Sequence, residues 1–128
     1  MNQGIRVKAK ILVVDDEPDI LLLAKQMLEM EEYEVITADD GEEALQRIND
    51  ERPKLILLDI KLPKKDGYEV CKEIKSNEAL KDIIVIMFTV KALDSDRERG
   101  FQVGADYYVI KPFSIKKMID LIRKALNN

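Results

Sequence analysis

The sequence predicts an α/β protein: a doubly wound parallel sheet of five strands with five helices. Three observations carry that expectation. Short apolar runs alternate with longer amphipathic stretches through all 128 residues. Three runs, Ile11-Leu12-Val13-Val14, Leu55-Ile56-Leu57-Leu58 and Ile83-Ile84-Val85-Ile86-Met87-Phe88, are continuously apolar. Strands of that kind are buried on both faces, so helices cover both sides of the sheet. The connections between runs are short, as in repeated βα units, and right-handed crossovers leave few topologies.

The first strand is expected over Ala9–Val14. Asp15-Asp16-Glu17-Pro18 follows, with the proline placed for a first helical turn. Ile20, Leu23, Ala24, Met27 and Leu28 then share one helix face. Glu34–Ala38 is the second strand, and its mixed character suits a sheet edge. Asp40 ahead of Gly41-Glu42-Glu43 gives a cap with acids in the first turn, and Ala44, Leu45 and Ile48 form the stripe behind it. Leu55–Leu58 is the third strand. The Pro63 and Gly67 loop turns the chain, and Asp66 caps the helix containing Tyr68–Ile74. Ile83–Phe88 is the fourth strand, followed by a polar helix over Asp94–Val103. Tyr107–Ile110 is the fifth, and Ser114 caps a last helix with Ile115, Met118, Ile119, Ile122 and Leu126 on one face. Leu121 and Ala125 widen that apolar arc. No repeat, linker or second domain is visible, so a single domain over 1–128 is expected, its folded core at about 9–126, with no effector domain.

Composition removes many function classes. Apolar residues are 46% and charged residues 36%, which is globular rather than disordered. Net charge is −4 and the pI about 5.0, which argues against direct nucleic-acid binding. There is no histidine, which excludes a histidine base and the Ser-His-Asp and Cys-His nucleophiles. The one cysteine, Cys71, sits next to Val70 and three before Ile74, and reads as a helix-core thiol. The apolar runs are far shorter than the ~20 residues a membrane span needs, and Met1–Lys10 has no apolar signal segment. A cytoplasmic protein with no membrane partner is expected.

The chemistry lies at strand ends. Asp15 and Asp16 follow the first strand, Asp59 the third, Thr89 the fourth and Lys111 the fifth. In an open parallel sheet the carboxyl ends of neighbouring strands share one edge, where ligands bind. Three acids gathered there repel one another, and a hard divalent cation on oxygen ligands relieves the repulsion. Asp59, facing the other acids and a lysine, is a candidate nucleophile able to accept a phosphoryl group as an acyl phosphate. Thr89 can donate to a phosphate oxygen, and Lys111 can supply a point charge. Lys111-Pro112 is a site where a cis peptide is cheap.

Five segments in order resemble the receiver domains of two-component response regulators. They are Ile11–Pro18, Ala38–Leu45, Leu57–Gly67, Phe88-Thr89 and Gly104–Phe113, and the likeness covers nearly the whole chain. The resemblance implies the flavodoxin-like strand order 2-1-3-4-5. It implies that Asp59 accepts a phosphoryl group from a histidine kinase or histidine phosphotransfer protein. Asp16 would bind Mg²⁺ directly, Asp15 mostly through water, and Asp59 and the Lys61 carbonyl would complete the ligands. Thr89 and Lys111 would hold the phosphoryl oxygens. Tyr108 matches the switch aromatic, which turns inward as Thr89 moves. The chain would change its output face, form a phosphorylation-linked homodimer or meet a downstream protein, and slowly dephosphorylate itself.

Three positions depart from the family pattern. Val90 stands where a small residue is usual and is expected to narrow access to Asp59. Lys61 and Lys91 each follow a site residue by two, where the family tunes dephosphorylation. Tyr107 replaces a common acid beside Tyr108. Three other readings compete: a phosphorylation-independent receiver-like adaptor, an aspartate-nucleophile phosphatase and a flavin-binding protein. Lys61 stands where such a phosphatase has its second aspartate. Asp15-Asp16-Glu17-Pro18 would repel the flavin phosphate.

Overall fold

The computed structural model describes residues 9–112 and 114–127. Five parallel strands, β1 (Lys10–Val14), β2 (Glu34–Ala38), β3 (Leu55–Leu58), β4 (Ile84–Thr89) and β5 (Tyr107–Ile110), alternate with five helices. The helices are α1 (Pro18–Met30), α2 (Gly41–Glu51), α3 (Gly67–Lys75), α4 (Asp94–Gln102) and α5 (Ile115–Leu126). The strand order is β2-β1-β3-β4-β5, as the resemblance implies.

Side chains alternate across each strand, and this divides the core in two. Leu12, Val14, Ile56, Leu58, Val85 and Met87 pack with Ala44 and Ile48 of α2 and with Val70, Cys71 and Ile74 of α3. Ile11, Val13, Leu55, Leu57, Ile86 and Phe88 pack with Leu28 of α1 and with Met118, Ile122 and Ala125 of α5. Burial raises the Cys71 thiol to about 12, so it stays an inert core thiol.

Several expected boundaries move by one residue. β1 starts at Lys10 rather than Ala9, although the Ala9 carbonyl still accepts from the Glu34 N–H (3.3 Å). β4 runs Ile84–Thr89 because the Ile83 N–H donates back to Leu80 in a turn (3.0 Å), while Thr89 pairs with Ile110. α4 ends at Gln102, with Val103 as its C-cap. The apolar stripes also rotate. Leu23 is 45% exposed. On α5 the buried stripe is Met118, Ile122 and Ala125, while Ile115 and Leu126 are half-buried. Ile115 and Ile119 instead face α1 across an apolar cavity of about 40 Å³.

Among the described residues no helix is long and apolar enough to cross a membrane.

Candidate functional site

Parallel register puts four strand ends side by side. Val14 pairs with Leu58, Leu58 with Met87, and Thr89 with Ile110. The residue after each of β1, β3 and β5 therefore emerges at one edge, beside Thr89 at the end of β4. Asp15, Asp16 and Asp59 each place a carboxylate oxygen within 4.8 Å of the others.

Their environments differ. Asp15 is fully buried, Asp59 is 6% exposed and Asp16 is exposed. Asp15 accepts from the Glu17 N–H (3.0 Å), an Asx turn that aims its other oxygen at Lys111. Neither Asp15 nor Asp16 caps α1. The N-cap is Glu17, whose side chain makes no cap bond, with Pro18 in the first turn. Asp59 accepts from its neighbour Ile60 N–H (2.7 Å).

Lys111 lies between the acids. Its ammonium donates to Asp15 and, at 3.3 Å, to Asp59, with Glu17 at 3.9 Å. It also lies 4.6 Å from the Phe88 ring centroid. The Lys111-Pro112 peptide is cis. Burial raises the Asp15 carboxyl above its ordinary value, and the Asp59 charge adds to this while Lys111 opposes it. Burial alone would lower Lys111, but its bond to Asp15 and the Asp59 charge outweigh that and hold it raised. The site thus carries three acids against one buried ammonium, which suits a divalent cation on oxygen ligands.

Thr89 is fully buried, and its hydroxyl accepts from the Lys91 N–H (3.4 Å). Tyr108 is turned under α4. Its hydroxyl donates to the Lys91 carbonyl (2.7 Å), so Thr89 and Tyr108 both meet the backbone of one residue. Tyr107 packs on the opposite face of the sheet, among the α1 and α5 contacts. Val90 is 59% exposed and does not line the cleft beside the acids, whereas Lys61 and Lys91 both do.

Two glycines, read from the sequence only as a cap's neighbour and a turn, shape the loop carrying Lys61. A Cβ on Gly41 would sit 2.0 Å from the Lys65 carbonyl oxygen, and one on Gly67 would sit 2.3 Å from the Asp59 carbonyl oxygen. The Gly41 N–H donates to Pro63 (3.2 Å) and the Gly67 N–H to Ile60 (2.8 Å). The loop is thereby pinned from both sides. A glycine opening a helix just after a capping aspartate was the available signal.

The family model of the response regulator receiver domain matches residues 11–123. The chain belongs to that family. A probable transcriptional regulator ycf27 of Guillardia theta is 44% identical over 126 residues, 98% of this chain and 48% of the relative. The alkaline phosphatase synthesis transcriptional regulatory protein PhoP of Bacillus subtilis (strain 168) is 48% identical over 109 residues, 85% of this chain and 45% of the relative. The receiver thus spans about half the length of the curated relatives it matches. Among solved structures, the BeF3-activated DrrB receiver domain superposes with TM-score 0.86 at 33% identity, over 95% of this chain and 100% of that one. The Mn²⁺-bound form of response regulator Rcp1 does so with TM-score 0.79 at 31% identity, over 91% of each chain. Phosphorylation-based signalling is the work of this family.

Proposed function

We propose that this receiver is a phosphorylation-dependent switch whose acceptor is Asp59. The observation that carries the reading is the meeting of Asp15, Asp16 and Asp59 with Lys111 at one sheet edge. An Asp59 oxygen attacks the phosphorus of a phosphohistidine on a histidine kinase or phosphotransfer protein. The P–N bond breaks and its electron pair leaves on the imidazole. Mg²⁺ would be held by Asp16, Asp15, Asp59 and the Lys61 carbonyl, and when bound it offsets charge on the phosphoryl oxygens. Lys111 then exchanges a carboxylate partner for a phosphoryl oxygen, and Thr89 donates to another. The new group adds roughly −1.5 to −2 charges. Thr89 moving toward it draws on the Lys91 backbone, to which Tyr108 is bonded, and so biases α4. Water attack on the acyl phosphate resets the site. The output is a downstream protein or a second copy of the chain.

The test is intact-mass spectrometry after incubation with acetyl phosphate and Mg²⁺. A single adduct that Asp59→Asn and EDTA each abolish is expected. No adduct together with no Mg²⁺ binding would leave the phosphorylation-independent adaptor.

The metal reading also predicts a pH signature. The folded state raises the Asp15 carboxyl, so its contribution favours folding at acid pH and is lost as pH rises through the raised value. Ion binding should therefore raise the Tm at neutral pH and lose that effect in acid, as the raised Asp15 carboxyl takes up its proton. A Tm rise equally large at both ends would contradict binding at these carboxylates.

A further inference from the structure

We propose that Arg99, held over the ring of Tyr68, recognises the anionic phosphodonor and draws it toward Asp59. The inference rests on the reading of Asp59 as acceptor. A cleft of about 420 Å³ opens beside the acidic cluster, and its walls carry Asp16, Asp66, Tyr68 and three cations, Lys61, Lys91 and Arg99.

Several cations of the protein are already committed to carboxylates. Lys10, Lys25, Lys64, Lys65, Lys75, Lys81, Lys111, Arg47 and Arg123 each have a carboxylate within ion-pair distance. Among the described residues, none pairs with Lys61, Lys91 or Arg99. In a chain of net charge −4, three unpaired cations around one cleft make a local field that favours an anion. The two acids in the same cleft, Asp16 and Asp66, are outnumbered by the three cations, and Asp16 belongs to the cluster proposed to hold a cation.

Arg99 is the positioned member of the three. Its guanidinium carbon lies 4.1 Å from the centroid of the Tyr68 ring. That ring is 3% exposed, and its hydroxyl donates to the Asp96 carbonyl (3.0 Å), one turn earlier on α4. Tyr68 therefore holds both the helix that carries Arg99, through the Asp96 carbonyl, and the guanidinium over its ring. A planar guanidinium meets two oxygens of one phosphoryl group through parallel N–H donors in a fixed fork, whereas a lysine ammonium acts as a point charge. Arg99 makes and breaks no bond. It acts before transfer, on donors that carry a phosphoryl dianion.

Acetyl phosphate and phosphoramidate separate this from a structural role. With acetyl phosphate, an Asp59 oxygen attacks phosphorus, the P–O bond to the acyl group breaks, and acetate leaves with the electron pair. With phosphoramidate, N-protonated near neutral pH and so of lower net negative charge, the P–N bond breaks and ammonia leaves with the electron pair. Second-order phosphorylation rates would be measured by mass spectrometry at saturating Mg²⁺ and increasing NaCl. Arg99→Ala should slow acetyl phosphate by about fivefold at low salt and flatten the salt dependence, with a smaller effect on phosphoramidate. Tyr68→Leu should act in the same direction although Arg99 remains. Arg99→Lys should restore the salt dependence but not the full rate. Lys72→Ala, which removes an exposed cation of α3 outside the cleft, should change neither. An Arg99→Ala rate and salt slope equal to those of Lys72→Ala would overturn the inference and leave the acceptor reading intact. No transfer to the unmodified chain from either donor would overturn both.

Discussion

Helices α3 and α4 are each nine residues long and follow neighbouring strands, yet they are fixed by different means. α3 opens on a capping box, with the Asp66 side chain on the Glu69 N–H and the Glu69 side chain on the Asp66 N–H. Five of its residues are buried, including Val70, Cys71 and Ile74 in the core. α4 has Leu93 at its N-cap, no side-chain cap bond, and only Gly100 buried. What fixes it are two tyrosine hydroxyls, Tyr68 on the Asp96 carbonyl and Tyr108 on the Lys91 carbonyl just before the helix. Burial of three aliphatic or thiol side chains is worth several kcal/mol. A hydrogen bond nets about 1 kcal/mol. α4 therefore sits on a shallower preference than α3, and under the proposed switch it is the element that a charge change at Asp59 would reverse. The element nearest the acceptor loop is the rigid one, and the responsive one lies a strand further on.

The sharpest way to break this contrast is at the glycines. A Cβ on Gly67 meets backbone, with the Asp59 carbonyl oxygen at 2.3 Å and the Ile60 Cα at 2.8 Å. Neither can step aside without moving the acceptor. Gly67→Ala should cost about 3 kcal/mol in urea unfolding and also weaken Mg²⁺ binding by calorimetry. A loss below 1 kcal/mol would mean that the start of α3 is not rigidly seated. Gly41→Ala, pressed on the Lys65 backbone from the α2 side, should weaken Mg²⁺ binding with a smaller loss of stability. Next in size is the cap. Asp66→Ala should cost about 1 kcal/mol, read as a fall in Tm of about 3–5 °C, with no change in the exchange of α4 amides. A parallel loosening of α4 would show that the two helices are one cooperative unit.

The sequence and the structure agree best where burial is the dominant force. The three continuously apolar strands, the strand-end positions of Asp15, Asp59, Thr89 and Lys111, and the caps at Asp40, Asp66 and Ser114 follow from pattern and local chemistry. The strand order came from resemblance, because period alone leaves several right-handed topologies. Which of two adjacent acids is buried did not follow either. That depends on the Asx turn from Asp15 to Glu17, which a pair of aspartates does not announce. Val90 was expected to crowd Asp59 but points to solvent, since side-chain direction after a strand end depends on the turn that follows. Tyr68 and Arg99 were legible only as helix residues, because their pairing is a contact between α3 and α4 that no local spacing encodes.

The smallest expected effect is the most informative about α4. A Cβ on Gly100 would meet the Tyr108 ring at 3.0 and 3.1 Å, and a ring can swing where backbone cannot. Gly100→Ala gains about 1 kcal/mol of helix propensity and puts at risk a Tyr108 hydrogen bond of similar size. Stability should therefore change by no more than about 0.5 kcal/mol. The side-chain equilibrium should not stay put, because the displaced ring gives up the Lys91 carbonyl. NMR should show new Tyr108 ring resonances, faster exchange for α4 amides, and slower phosphorylation as the Thr89–Lys91–Tyr108 linkage is lost. Unchanged ring resonances and unchanged α4 exchange would show that the ring accommodates the methyl in place and keeps its bond to the Lys91 carbonyl. Tyr68→Phe in the same background then becomes decisive, since it removes the hydroxyl bonded to the Asp96 carbonyl within α4 itself.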